Sequence, residues 1–133
     1  MNPVFADAFY FLALLNEQDR VHDKAMQWSR EAPNPVITTW PVLIEVADAF
    51  AGRRDRGEFL ALYSILRSAA DVTIIPPSAE LFDQGLELYS QRPDKDWSLT
   101  DCISFVVMRQ QGLTEALTGD RHFEQAGFTV LLK

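Results

Sequence analysis

The sequence predicts an α/β domain with a mostly parallel central sheet of about five strands flanked by helices. Short apolar runs of strand length recur along the chain, and each is followed by a longer stretch with helical periodicity. Breakers mark the junctions: Pro33-Asn34-Pro35, Gly52 to Gly57, Pro76-Pro77, Gly112, Gly119 and Gly127. Strand–helix–strand alternation of this kind closes into a parallel sheet through right-handed crossovers. With no internal repeat, low-complexity tract or linker, residues 1–133 read as one domain.

Pro3 to Ala6 form the first strand, with Asp7 at its C-terminal end. Phe9 to Leu15 form an apolar helix ending near Asn16. Asp19 is expected to cap a second helix that carries Val21, His22, Ala25, Met26 and Trp28 on one side. His22 is weighed as a ligand and read as a packing residue. Val36-Ile37 is the second strand, and Thr38 or Thr39 caps the next helix with Pro41 in its first turn. Glu45 lies one turn in. The polar hinge Gly52 to Gly57 holds Arg53, Arg54 and Arg56, the one basic concentration along the chain, and a helix follows from Glu58 to Ala70. Val72 to Ile75 is the third strand, and Ser78 caps a helix reaching about Arg92.

Ser98 opens the most apolar helix, and Ser98-x-x-Asp101 fits a capping box. Ile103, Phe105, Val106, Val107 and Met108 leave that helix almost no polar face before Gly112 ends it, so it must be buried. A fourth strand, Leu113 to Thr118, ends at Gly119-Asp120, where no helix cap or core contact is expected to require a carboxylate. One helical turn over Phe123 to Ala126 and a last strand, Phe128 to Leu132, complete the chain.

Composition narrows the function classes. Hydrophobic residues make up 47 % of the chain and mean hydropathy is −0.08, values of a folded globular protein. No apolar run approaches the ~20 residues of a membrane span, and the N-terminus shows no signal core. The lone Cys102, inside the apolar helix, excludes a disulfide framework, makes a poor nucleophile and points to the cytoplasm. A net charge of −7 argues against broad nucleic-acid binding. It does not argue against a metal-dependent phosphodiesterase, because two bound divalent cations would reduce −7 to −3 and reverse the local field.

Ligands of open α/β sheets bind outside the carboxyl ends of the strands. Asp7 and Asp120 follow two such ends, and Glu45 and Asp101 sit in early helical turns at the same rim. Four carboxylates crowded together repel one another, and hard divalent cations relieve that repulsion while serving phosphoryl transfer. Taken alone, Asp101 is better explained as a helix cap.

The segments Phe5-Ala6-Asp7, Glu45, Trp97-Ser98-Leu99-Thr100-Asp101-Cys102 and Thr118-Gly119-Asp120-Arg121-His122-Phe123 resemble, in order, the motifs of the PIN domain, and of VapC-type toxin ribonucleases in particular. The ending Phe123 to Phe128 and the His22-x-x-Ala25 helix are also similar to the family's. The resemblance implies that Asp7, Glu45, Asp101 and Asp120 hold Mg²⁺ or Mn²⁺ and hydrolyse RNA, with Ser98 or Thr100 supporting the site. It also implies a homodimer and a small antitoxin whose tail occupies the acidic site. Arg121 and Trp97 are candidate RNA contacts, as is Trp40, with rim or core packing the favoured role for the two tryptophans and a plain surface position the default for Arg121. One departure stands out: Ala8 and Phe9 follow Asp7 where the family often has a hydroxyl, leaving one supporting hydrogen bond unaccounted for. Two other readings compete. One is a catalytically silent PIN domain acting as a scaffold. The other is a phosphatase using Asp7 as nucleophile, which would want an acid where Phe9 stands.

Overall fold

A computed structural model describes residues 1–133. Five strands, β1 (Val4–Ala6), β2 (Val36–Thr39), β3 (Val72–Ile75), β4 (Glu115–Leu117) and β5 (Thr129–Val130), form one sheet in the order β3-β2-β1-β4-β5. Every neighbouring pair is parallel, with Phe5 opposite Ile37 on one side and Ala116 on the other. The central strand β1 is fully buried along its length, so both its faces read as apolar.

The chain steps outward from β1 to β2 and β3, then jumps back across to β4 and β5. The strand order therefore reverses between β1 and β4, where a parallel sheet opens a crevice. Asp7 and the Thr118–Asp120 turn follow these two strands.

Seven helices cover the sheet: α1 (Ala8–Leu15), α2 (His22–Glu31), α3 (Trp40–Ala49), α4 (Arg56–Ser68), α5 (Ala79–Gln91), α6 (Leu99–Gln110) and α7 (Arg121–Gln125). None is long and apolar enough to cross a membrane. Seven residues of α6 are buried, among them Cys102, Phe105 and Met108, which explains its missing polar face. Phe105 meets Phe123 edge-on at 4.9 Å and Trp97 at 5.0 Å, making an aromatic knot beneath the acidic rim. At the far end of α6, Gly112 takes φ +69, and Leu113 N–H returns to Met108 O at 2.8 Å, a left-handed stop that favours glycine. Helix α5 approaches α6 so closely that a Cβ at Gly85 would lie 2.4 Å from Ile103 Cγ1.

Several element boundaries move. Thr39, not Thr38, caps α3, its Oγ1 accepting Val42 N–H at 3.2 Å; Thr38 is a buried strand residue whose hydroxyl donates to Ala6 O. Asp19 does not cap α2: its carboxylate accepts Val21 N–H at 2.8 Å and shapes the turn before a helix that starts at His22. Strands β4 and β5 are shorter than their apolar runs, although backbone hydrogen bonds continue beyond them, from Thr129 N–H to Thr114 O and from Leu132 N–H to Thr118 O. The helical turn expected at Phe123 begins earlier, at Arg121.

Candidate active site

Asp7 sits at the junction of β1 and α1, 6 % exposed. Its Oδ2 accepts the Thr118 hydroxyl at 2.8 Å, a bond across the switch point from the strand-end loop of β4. Thr118 Oγ1 in turn accepts Asp120 N–H at 3.1 Å, fixing the loop that presents the second acid. Thr118 is fully buried, a polar residue at a strand end whose role is to orient its neighbours.

Asp120 is the N-cap of α7, its Oδ1 accepting His122 N–H at 2.9 Å. The expectation that no cap requires this carboxylate is thus corrected; the helix simply starts two residues sooner than its apolar pattern shows. The His122 ring folds back over the site, with Nδ1 3.0 Å from Asp101 Oδ2 and 3.6 Å from Asp120 Oδ1. Ligand atoms of Asp101, Asp120 and His122 all lie within 4.8 Å of one another.

Asp101 occupies the first turn of α6 and completes the expected box: Ser98 Oγ accepts Asp101 N–H at 3.0 Å, and Asp101 Oδ2 accepts Ser98 N–H at 3.1 Å. Capping and site readings of Asp101 are therefore both satisfied by one carboxylate. Ser98 supports the rim directly through this box. Thr100 is half-buried, and its backbone carbonyl accepts the Ser104 hydroxyl, which ties it to the helix rather than to the acids.

Glu45, on α3, completes the group through space. Burial first, then the charges of Asp101 and Glu45, push the Asp7 carboxyl up to about 7, against the lowering effect of the Thr118 hydrogen bond. Partial desolvation, then Asp101 and Asp120, raise Glu45 as well; its side chain still reaches water, so screening keeps that cost small. No lysine or arginine forms an ion pair with any of the four acids. Oxygen donors with one imidazole nitrogen, uncompensated by protein cations, are a chemically suitable set for a hard or borderline divalent ion such as Mg²⁺ or Mn²⁺.

The remaining candidates separate. Trp97 is corrected from RNA contact to core: it is 4 % exposed, its Nε1–H donates to Gln125 Oε1 at 3.0 Å, and Arg92 covers its ring. Trp40 packs against Tyr63. Arg121 is exposed beside the site. His22 donates Nδ1–H to Ala13 O at 2.7 Å, linking α2 to α1 as a packing residue. Cys102 is fully buried, and burial followed by the Asp101 charge pushes its thiol up, consistent with an inert side chain.

Residues 4–129 match the PIN domain family. This chain belongs to the PIN domain family. The 23S rRNA-specific endonuclease VapC20 of Mycobacterium tuberculosis is 29 % identical over 125 residues, spanning 94 % of this chain and 95 % of that protein. The crystal structure of the same toxin, described as cleaving the sarcin–ricin loop, superposes with a TM-score of 0.85 at 28 % identity, over 95 % of this chain and 96 % of the other. FitAcB from Neisseria gonorrhoeae shares the PIN fold more distantly, with a TM-score of 0.65 at 16 % identity over 96 % of each chain.

Proposed function

We propose that this PIN domain is a metal-dependent endoribonuclease, the toxin of a type II toxin–antitoxin pair, with ribosomal RNA as its substrate class. The observation that carries the reading is the uncompensated carboxylate group at the switch point, above all Asp7, which is buried beside two other acids and has hydrogen-bond partners but no cation. The substrate class is taken from the whole-length likeness to an rRNA endonuclease. The presence of all four acids in this chain, within a PIN fold, weighs against a silent scaffold.

Asp7, Glu45, Asp101 and Asp120 would hold Mg²⁺ or Mn²⁺, with His122 at its edge. When bound, such an ion supplies positive charge against the scissile phosphate and acidifies water. The chain's own groups prepare that chemistry. Thr118 holds one oxygen of Asp7, and the Ser98 N–H and His122 Nδ1 both engage Oδ2 of Asp101. These contacts fix the direction of each carboxylate, and such outer contacts are commonly worth 10- to 100-fold in metal affinity or activity. Arg121 is placed to meet an RNA phosphate. A homodimer in the cytoplasm, held in check by a small antitoxin, completes the proposal.

The test is cleavage of purified ribosomes, with RNA ends mapped by primer extension. The proposal expects a discrete cut in 23S rRNA with Mg²⁺ or Mn²⁺, none with excess EDTA, and none from Asp7→Asn. Undiminished cleavage in EDTA would refute the metal assignment, and no cleavage under any metal would refute the enzyme.

A further inference from the structure

The sequence shows its basic residues clustered at Arg53, Arg54 and Arg56, yet the fold assembles a second basic group beside the acids. A cavity of about 410 Å³ is lined by Phe9, Arg20, Lys24, Gly119, Leu132 and Lys133. These residues are far apart in sequence and meet only because the turn between α1 and α2 packs against the end of the chain. The volume falls within the ~300–1,000 Å³ of sites that enclose a small molecule or a nucleotide unit. Gly119 directly precedes Asp120 and packs against Phe9, so one wall of the cavity is the backbone that leads into the acidic site.

Phe9 occupies the position whose missing hydroxyl marked the departure from the family's pattern. Its ring edge rests on the backbone before Asp120: a Cβ at Gly119 would lie 2.6 Å from Phe9 Cζ and 2.9 Å from Leu132 O. The ring is thus pinned by backbone and half-buried as a cavity wall. Arg20 is exposed and forms no ion pair. Lys24 Nζ donates to Lys133 O at 2.8 Å, which holds the ammonium at the cavity, and no Asp or Glu side chain pairs with it. Lys133 is paired with Glu124 and contributes less.

The largest cavity of the molecule offers the contrast. Its roughly 730 Å³ lies between the C-terminal ends of α1 and α3, and its charged lining is Glu17, Asp19, Asp55 and Glu58, with no basic residue. In a chain of net charge −7, a phosphate meets repulsion in that cavity and attraction at Arg20 and Lys24.

We propose that the Phe9–Arg20–Lys24 cavity is the subsite for the RNA strand flanking the scissile phosphate. Arg20 and Lys24 hold a backbone phosphate, and the Phe9 ring supports the adjoining nucleobase. This rests on the ribonuclease reading and specifies how an acidic protein engages a polyanion.

The test measures binding of a fluorescein-labelled single-stranded RNA by anisotropy, in EDTA to prevent cleavage, across a salt series. Wild type is compared with Arg20→Gln/Lys24→Gln, with Phe9→Leu and with Arg53→Gln/Arg54→Gln. Loss of two phosphate contacts should reduce the slope of log affinity against log salt by about 1.4, at ~0.7 per contact on single strands. Phe9→Leu should weaken binding about fivefold or more, the low end for losing one base–aromatic stack, with the slope unchanged. The hinge variant should match wild type. Wild-type affinity and slope in Arg20→Gln/Lys24→Gln, or a loss confined to the hinge variant, would overturn the subsite. So would salt-independent binding by wild type. Polyglutamate serves as competitor: displacement by it that depends on Arg20 and Lys24, with RNA binding unaffected by their loss, would make the cavity a protein-docking site instead. Cleavage of ribosomes by wild type, run in parallel, separates failure of the subsite from failure of the ribonuclease reading.

Discussion

Removing the charge of Asp7 should make the metal-free protein more stable, and the gain should depend on pH in one direction only. The carboxyl titrates at 3.8 in an unfolded chain and at about 7 in the fold. Between those values the folded state keeps a proton that the unfolded state has lost, so folding takes up a proton and stability falls as pH rises. The full stability contribution is present below pH 3.8, and the loss is complete above about 7. At roughly 1.4 kcal/mol per pH unit, the cost at pH 8 is at most about 4 kcal/mol. Asp7→Asn removes that titration while an amide oxygen still accepts the Thr118 hydroxyl. Urea denaturation in EDTA should show the two proteins alike near pH 4, and the variant more stable by roughly 2–4 kcal/mol at pH 8. For a chain of this size that corresponds to a Tm gain of roughly 5–10 °C. Added Mn²⁺ should stabilise wild type more than the variant, closing the gap. Parallel pH profiles for the two proteins between 4 and 8 would show that Asp7 is not held in an unfavourable charged state, and the electrostatic account of the site would fail with it.

Asp120→Asn should reduce ribosome cleavage by about 100-fold or more and weaken Mn²⁺ binding, with Tm nearly unchanged, because asparagine caps α7 as well as aspartate does. Asp101→Asn should likewise abolish cleavage while keeping the box with Ser98, whereas Asp101→Ala should cost a further ~1 kcal/mol in denaturant titrations. Gly85→Ala should destabilise the fold by about 1–3 kcal/mol, read as a lower urea midpoint, since its methyl would overlap Ile103 of α6.

The central sheet was legible because its strands are short apolar runs, the central one buried on both faces, and are separated by strong breakers, so pattern and punctuation agree. Asp7, Glu45, Asp101 and Asp120 were legible because the C-terminal rim of a parallel sheet collects strand ends and helix starts. Thr118 and His122 were not singled out. Thr118 left a weak trace, a polar residue at the buried end of an apolar strand. His122 left none beyond its place in the motif, because its approach to Asp101 depends on how α7 sits against α6, a contact across 21 residues. Trp97 was weighed as an RNA contact because it adjoins the motif in sequence, with packing the favoured role; the half-turn before α6 points it into the aromatic knot. Basic residues at Arg20 and Lys24, unremarkable along the chain, acquire meaning only when the turn after α1 meets the end of the chain.

Two of the four acids are helix caps, and this coincidence has a physical basis. A helix N-terminus presents free N–H groups and the positive end of the dipole, which stabilise an adjacent carboxylate in its charged form. Asp101 on α6 and Asp120 before α7 accept hydrogen bonds from such N–H groups, while Asp7 sits deep in the switch point, its side chain held by the Thr118 hydroxyl. Local structure thereby partners two of the acids and leaves the third in a position where only a cation relieves its burial. Asp7 should accordingly be the residue through which metal binding is most strongly coupled to stability. A comparison of three single variants isolates that coupling. Mn²⁺ should stabilise Asp101→Asn and Asp120→Asn by more than it stabilises Asp7→Asn, because in the first two a buried charge still awaits compensation. Equal Mn²⁺-induced shifts in all three variants would mean the ion is bound by the rim alone and that Asp7 lies outside its reach.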